Sequence, residues 1–133
     1  MQSAVPMKLL GRILLAFSAV LLVIGASIHT AAFGKVSAAV ATSDLAPFFG
    51  KGLKVLWLQD STVAIVLAIV FTTVAIRPFA ASKAVVVLLG LVPAATAALV
   101  YLFIGNFIGG HIFLTAGVAA ILGGLLWPEA TKL

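Results

Sequence analysis

Three side chains in this sequence have the types needed for metal or acid–base chemistry: His29, Asp60 and His111. Two imidazoles and one carboxylate are the ligand types of non-haem iron sites and of some zinc sites. Two imidazoles could also hold a haem, and all three groups could change charge in a proton-linked process. Gln59 and Tyr101 could hydrogen-bond to such ligands. No HxxxH or ExxH spacing connects these residues, so a common site depends entirely on the fold.

The composition places these residues in a membrane protein. Of the 133 residues, 64% are hydrophobic and 8% are charged, against roughly 45–50% apolar and 25% charged in a soluble domain. Mean hydropathy is +1.33. The net charge of +5 comes from basic residues spread singly between apolar runs, unlike the basic stripe of a nucleic-acid-binding surface. We therefore expect an integral membrane protein whose partner is the lipid bilayer and not a nucleic acid. The absence of cysteine excludes disulfides and thiolate metal sites.

Four apolar runs are long enough to cross a membrane, which takes about 20 residues. They cover residues 9–33, 53–76, 82–104 and 107–127. The predicted fold is all-α, a single transmembrane domain built as a four-helix antiparallel bundle. The long connection, residues 34–52, combines lysines with Phe48 and Phe49, so we expect it to lie at the membrane interface.

The ends of the third and fourth helices carry local signals. Ser82 is the type of residue that caps a helix N-terminus. Pro93 lies inside the third run, where it removes a backbone hydrogen bond and is expected to kink the helix. Gly105 and Asn106 leave room only for a tight turn, with Asn106 as a turn residue, so the last two helices should form an antiparallel hairpin.

Basic residues in the short connections predict the orientation in the membrane. With both termini in the cytoplasm, five basic residues lie inside and three lie outside. The inside set is Lys8, Arg12, Arg77, Lys83 and Lys132, and the outside set is Lys35, Lys51 and Lys54. The sequence therefore favours cytoplasmic termini.

Four crossings carry the chemically interesting side chains to one end of the bundle. His29 ends the first helix, Gln59 and Asp60 are early in the second, Tyr101 is late in the third and His111 is early in the fourth. Because ionisable groups in lipid usually face the protein interior, we expect a polar layer at the outer leaflet.

Asp60 allows two interpretations. It precedes Ser61 and Thr62, so it could cap a shorter helix that starts near Ser61, where it would be fully solvated. If the helix instead starts near Leu53, Asp60 lies two turns deep and needs a partner, for which His29 and His111 are the candidates.

Small residues recur at helical spacing in the first and last helices. Gly11, Ser18 and Gly25 are seven residues apart, and so are Gly110, Gly117 and Gly124. Small residues let helices approach closely in lipid, so these two rows, the glycine seams, are predicted to pack helices together.

Three short segments carry a resemblance. Ile28-His29-Thr30, the segment 56–60 and Gly109-Gly110-His111 resemble the sparse markers of small, uncharacterised four-helix inner-membrane proteins of bacteria. The resemblance implies a four-helix fold and an inner (plasma) membrane location. It implies no activity.

The sequence leaves three functions open. The first is a binding or accessory module whose glycine seams contact a second copy of the chain or a larger membrane partner. The second is a membrane-embedded metal- or haem-binding enzyme that uses His29, Asp60 and His111. The third is a small dimeric proton-coupled transporter, although the first helix lacks the carboxylate that small multidrug exporters carry there.

Overall fold

The computed structural model describes residues 4–77 and 79–127, with side chains from residue 7 onward, and this part of the chain is all-helical. Lys132, assigned above to the cytoplasm, lies outside the described residues. The helices are α1 (Ala4–Ala31), α2 (Phe33–Ala41), α3 (Pro47–Ile76), α4 (Lys83–Phe103) and α5 (Ile108–Leu125).

The expectation of four long apolar helices is confirmed. The apolar segments long enough to cross a membrane are Met7–Ala41, Pro47–Ile76, Lys83–Phe103 and Ile108–Leu125, of which the first joins α1 and α2. At 1.5 Å per residue, α5 spans about 27 Å and α3 about 45 Å, against a hydrocarbon core of about 30 Å. Their length and composition suggest an integral membrane protein.

The segment expected as an interfacial loop is largely helical. Between residues 34 and 52, α2 occupies the first part and α3 begins at Pro47, six residues before the apolar run that marked its predicted start. Proline is well suited to the first turn of a helix, because its missing N–H has no partner there in any case. Hydropathy marks the part of a helix that suits lipid, so it underestimates a helix that continues beyond the membrane.

The long helices pack in the order α3, α1, α5, α4, so that α1 and α5 are central. Gly11 lies against Gly123, and Gly25 lies against Ile112, so α1 and α5 run in opposite directions. The other neighbours in this order are antiparallel as well. α3 and α4 come close at few positions.

The close approach of α5 to both of its neighbours depends on glycine. A methyl group at Gly117 would lie 2.8 Å from the backbone nitrogen of Ala94 and 3.0 Å from the carbonyl oxygen of Gly90 in α4. On the other side, a methyl group at Gly123 would lie 3.0 Å from the carbonyl oxygen of Gly11 in α1. The obstructing atoms are backbone, which cannot move aside as a flexible side chain can. Both glycine seams are therefore occupied by helices of the same chain.

Apolar and polar contacts join the helices between these crossings. Leu15, Leu22, Phe71 and Val86 are fully buried in one core. Ser18 is also fully buried, and its hydroxyl donates to the carbonyl oxygen of Ala116 at 2.8 Å. Since the hydroxyl has a partner, its burial carries little cost.

Local signals in the second half of the chain are partly confirmed. Ser82 is the N-cap of α4, and its hydroxyl accepts from the N–H of Val85 at 3.3 Å. In the turn between α4 and α5, Gly105 has a left-handed backbone conformation, at φ +90°. Glycine adopts this conformation without the penalty that a Cβ imposes. Pro93 lies inside α4 and is buried.

Gly117→Ala should destabilise the protein by about 1–3 kcal/mol, because the added methyl group meets backbone atoms of α4. Gly52→Ala is the matched control: Gly52 also lies inside a helix, and a methyl group there meets nothing within 4 Å. The control should be stabilised by about 0.5–1 kcal/mol, since alanine has the higher helix propensity. Unfolding in detergent measures both changes, and unchanged stability of Gly117→Ala would contradict the packing described.

Candidate functional site: two polar clusters

The first cluster, the His29 cluster, consists of His29 on α1 with Trp57 and Asp60 on α3. The rings of His29 and Trp57 are stacked, with centroids 3.9 Å apart and planes at 12°. The Trp57 indole N–H donates to the carbonyl oxygen of His29 at 2.9 Å. In return, Nε2 of His29 lies 3.1 Å from the carbonyl oxygen of Trp57. A carbonyl only accepts, so Nε2 carries a proton and donates it. Each side chain thus bonds to the backbone of the opposite helix.

Asp60 belongs to this cluster and is not a helix cap. It lies about three and a half turns after Pro47, where α3 begins, so the interpretation of Asp60 as the cap of a shorter helix is wrong. Its Oδ2 is 3.8 Å from Nε2 of His29, and the two side chains are 33% and 25% exposed. This distance is too long for a hydrogen bond, but it allows an ion pair when the imidazole is protonated.

Ser61 contributes a buried hydroxyl beside the same cluster. Only 6% of Ser61 is exposed, and among the described residues its Oγ is the buried side-chain polar atom without a partner. Two other hydroxyls of α3 donate to the carbonyl four residues earlier, Thr62 to Leu58 at 2.9 Å and Thr73 to Ile69 at 2.7 Å. For Ser61 that carbonyl belongs to Trp57, which already accepts from His29. Occupation of this acceptor accounts for the unpaired hydroxyl.

The second cluster, the His111 cluster, consists of Tyr101, Asn106 and His111 on the α4–α5 hairpin. Nε2 of His111 lies 2.7 Å from Oδ1 of Asn106, and Nδ1 lies 2.8 Å from the Tyr101 hydroxyl. The amide oxygen only accepts, so Nε2 donates to it, and the hydroxyl donates to Nδ1 of a neutral imidazole. A protonated imidazole also fits, because Nδ1–H can then donate to the hydroxyl oxygen. Both ring nitrogens are engaged in either state.

In the structure, His29, Asp60 and His111 do not form a single site. His29 and Asp60 come together, whereas His111 pairs with Tyr101 and Asn106. Within residues 4–77 and 79–127, no three His, Cys, Asp or Glu side chains are grouped so that they could hold a metal ion. The number of crossings determines how deep a residue lies but not the direction it faces around the helix axis. His29 faces α3, and His111 faces the α4–α5 hairpin.

The supporting residues also differ from expectation. Tyr101 bonds to His111 and not to the His29 cluster, and Gln59 is exposed on α3. Sequence reasoning missed Trp57, which has the position of an interfacial anchor, and Asn106, which it assigned to the turn alone. The spacing of Trp57, Asp60 and Ser61, at i, i+3 and i+4, is the signal that places three polar groups on one face of α3.

The separation of the clusters predicts that the stability effects of His29→Ala and His111→Ala add within about 0.5 kcal/mol. Tyr101→Phe combined with His111→Ala is the matched control, because those residues share a hydrogen bond and should show a coupling of about 1 kcal/mol. The free energies of unfolding of the single and double variants measure both terms. Strong coupling between the two histidine substitutions would show that they share one site.

Comparisons with protein-family models, with curated proteins and with solved structures found no match. The functional assignment therefore depends on the geometry of the chain itself.

Proposed function

We propose that this protein is a binding or accessory module of a bacterial inner membrane, with four crossings and both termini in the cytoplasm. Four helices of sufficient length and apolarity support the membrane assignment. The excess of basic residues in the connections on one side supports the orientation. In this orientation both polar clusters lie in the outer leaflet.

The accessory role is supported mainly by one observation: the polar side chains of both clusters bond to other groups of the same chain. His29 and Trp57 bond across α1 and α3, and His111 has a partner on each ring nitrogen. Groups bound in this way hold helices in register. A metal or haem enzyme needs imidazole nitrogens directed at a common ligand, so the geometry favours the accessory module over that alternative.

The partner of such a module contacts surfaces other than the glycine seams, because those seams pack α5 against α1 and α4. Each long helix instead presents large apolar side chains outward, among them Val20 on α1, Ile69 on α3, Leu99 on α4 and Val118 on α5. Lipid satisfies such faces as well as a protein does. We propose that one of these faces binds a second copy of the chain or a larger membrane protein.

The topology is tested with single cysteines, since the chain has none of its own. Ser43→Cys, between α2 and α3, should react with a membrane-impermeant maleimide on intact cells. Ala80→Cys, between α3 and α4, should react only after the membrane is opened. The two positions lie at opposite ends of α3, so each is the control for the other. Labelling of both positions, or of Ala80→Cys alone, on intact cells would contradict the proposed orientation.

The accessory role is tested by photo-crosslinking in native membranes. A photoreactive residue at position 20, 69, 99 or 118 should give at least one adduct of discrete mass, because one of these faces binds the partner. Ala97, which is fully buried in α4, is the control position and should give none.

Two outcomes would overturn the role. One is the absence of a discrete adduct from all four faces. The other is stoichiometric metal or haem in the purified protein that disappears in both His29→Ala and His111→Ala, which would favour the enzyme instead.

A further inference from the structure

One end of the molecule extends beyond the α4–α5 hairpin. The apolar segment Met7–Ala41, which joins α1 and α2, has 35 residues and α3 has 30, against 21 and 18 in α4 and α5. Gly25, one turn before His29, lies against Ile112 near the start of α5. The hairpin turn therefore lies near the level of the His29 cluster, and α2 and the first turns of α3 continue past it. α2 contacts α3 and the end of α1, and it has no buried residue. This extension lies on the outer side in the proposed topology.

The extension contains an apolar groove between α2 and α3. Its volume is about 350 Å³, and its lining includes Val36 and Val40 of α2, Leu45, and Leu53 and Trp57 of α3. The two helices approach closely beside it, because a methyl group at Gly50 would lie 2.8 Å from the Val40 side chain. An apolar groove of this kind favours an apolar occupant over water.

The charge around the groove is positive. Residues 33–56 contain Lys35, Lys51 and Lys54 and one acidic residue, Asp44. Lys35 precedes the groove residue Val36 in the chain, and Lys54 follows the groove residue Leu53. Within the described part of the chain, none of the three lysines forms a salt bridge or hydrogen bond. Their ammonium groups are available to an anion from outside the chain.

Exposed aromatic side chains place this end at the membrane surface. Phe48 and Phe49 are 79% and 64% exposed, at the start of α3 and shortly before Lys51 in the chain. Apolar side chains beside lysines are typical of segments that lie between headgroups and acyl chains. An apolar groove with lysines at neighbouring positions of the chain matches the two parts of an anionic phospholipid.

We propose that the groove binds one anionic phospholipid, with an acyl chain between α2 and α3 and the headgroup phosphate at the lysines. This inference rests on the membrane location in the proposed function and adds the class of lipid. Lysine binds phosphate through charge and hydrogen bonding. The apolar lining of the groove favours contact with the acyl chain. The lysines favour an anionic lipid over a zwitterionic one, because a zwitterionic headgroup has no net charge to attract them.

Trp57 reports occupancy because it lines the groove, and the chain has only one other tryptophan, Trp127. The Trp127→Phe variant is reconstituted in vesicles that contain phosphatidylglycerol and phosphatidylcholine, and bromine is placed on the acyl chains of one lipid at a time. Brominated phosphatidylglycerol should quench Trp57 at an about fivefold lower mole fraction than brominated phosphatidylcholine, the preference expected from one lysine contact. If Trp127→Phe does not fold, the difference in quenching between the parent protein and Trp57→Phe gives the same quantity.

The lysines are tested in the same assay. Lys35→Gln combined with Lys54→Gln should abolish the preference for the anionic lipid, and Lys83→Gln, at the start of α4 and far from the groove, should leave it unchanged. Equal quenching by the two lipids would mean a non-selective lipid contact, and no quenching would mean another occupant. Either result overturns the inference. If the parent protein passes the cysteine-labelling test but shows no preference for the anionic lipid, the lipid site alone is rejected. If it fails the cysteine-labelling test, the proposed function is rejected.

Discussion

The tight packing of α5 against α1 on one side and α4 on the other determines how the other helices are arranged. In lipid there is little hydrophobic gain from bringing apolar helices together, so association relies on tight packing and interhelical polar contacts. α5 meets the backbone of α1 at Gly123 and that of α4 at Gly117. The buried hydroxyl of Ser18 adds a hydrogen bond to the backbone of α5. These contacts fix the rotation of α5 about its axis, because any other rotation places a larger side chain at a backbone contact.

The rotation of the central helices decides where the imidazoles point. Because the small residues of α1 lie against α5, His29 faces α3. There it stacks on Trp57 and lies close to Asp60. With its glycines against α4, α5 leaves His111 at the edge of the hairpin beside Tyr101 and Asn106. The two polar clusters therefore join helices in different pairs. This arrangement explains why residues of suitable type for a metal site do not form one.

The sequence predicts where residues lie along the helix axes much better than the direction in which they face around those axes. Hydropathy located four long apolar helices, and the residue type of Ser82 located a cap. The start of α3 was missed because the residues from Pro47 to Gly52 contain proline, glycine and lysine, which are typical of loops although each suits an exposed first turn. The direction of His29 and His111 could not be predicted, since it depends on backbone contacts between distant glycines. The role of Asn106 depends on the same hairpin geometry.

The assignment of His29 and His111 to separate clusters can be tested by nuclear Overhauser contacts between ring protons, measured in the intact protein in lipid nanodiscs. We expect His29 to contact Trp57, whose ring centroid is 3.9 Å away, and His111 to contact Tyr101, at 5.5 Å. No contact should join the two imidazoles. A direct contact between the rings of His29 and His111 would show instead that both histidines belong to a single site.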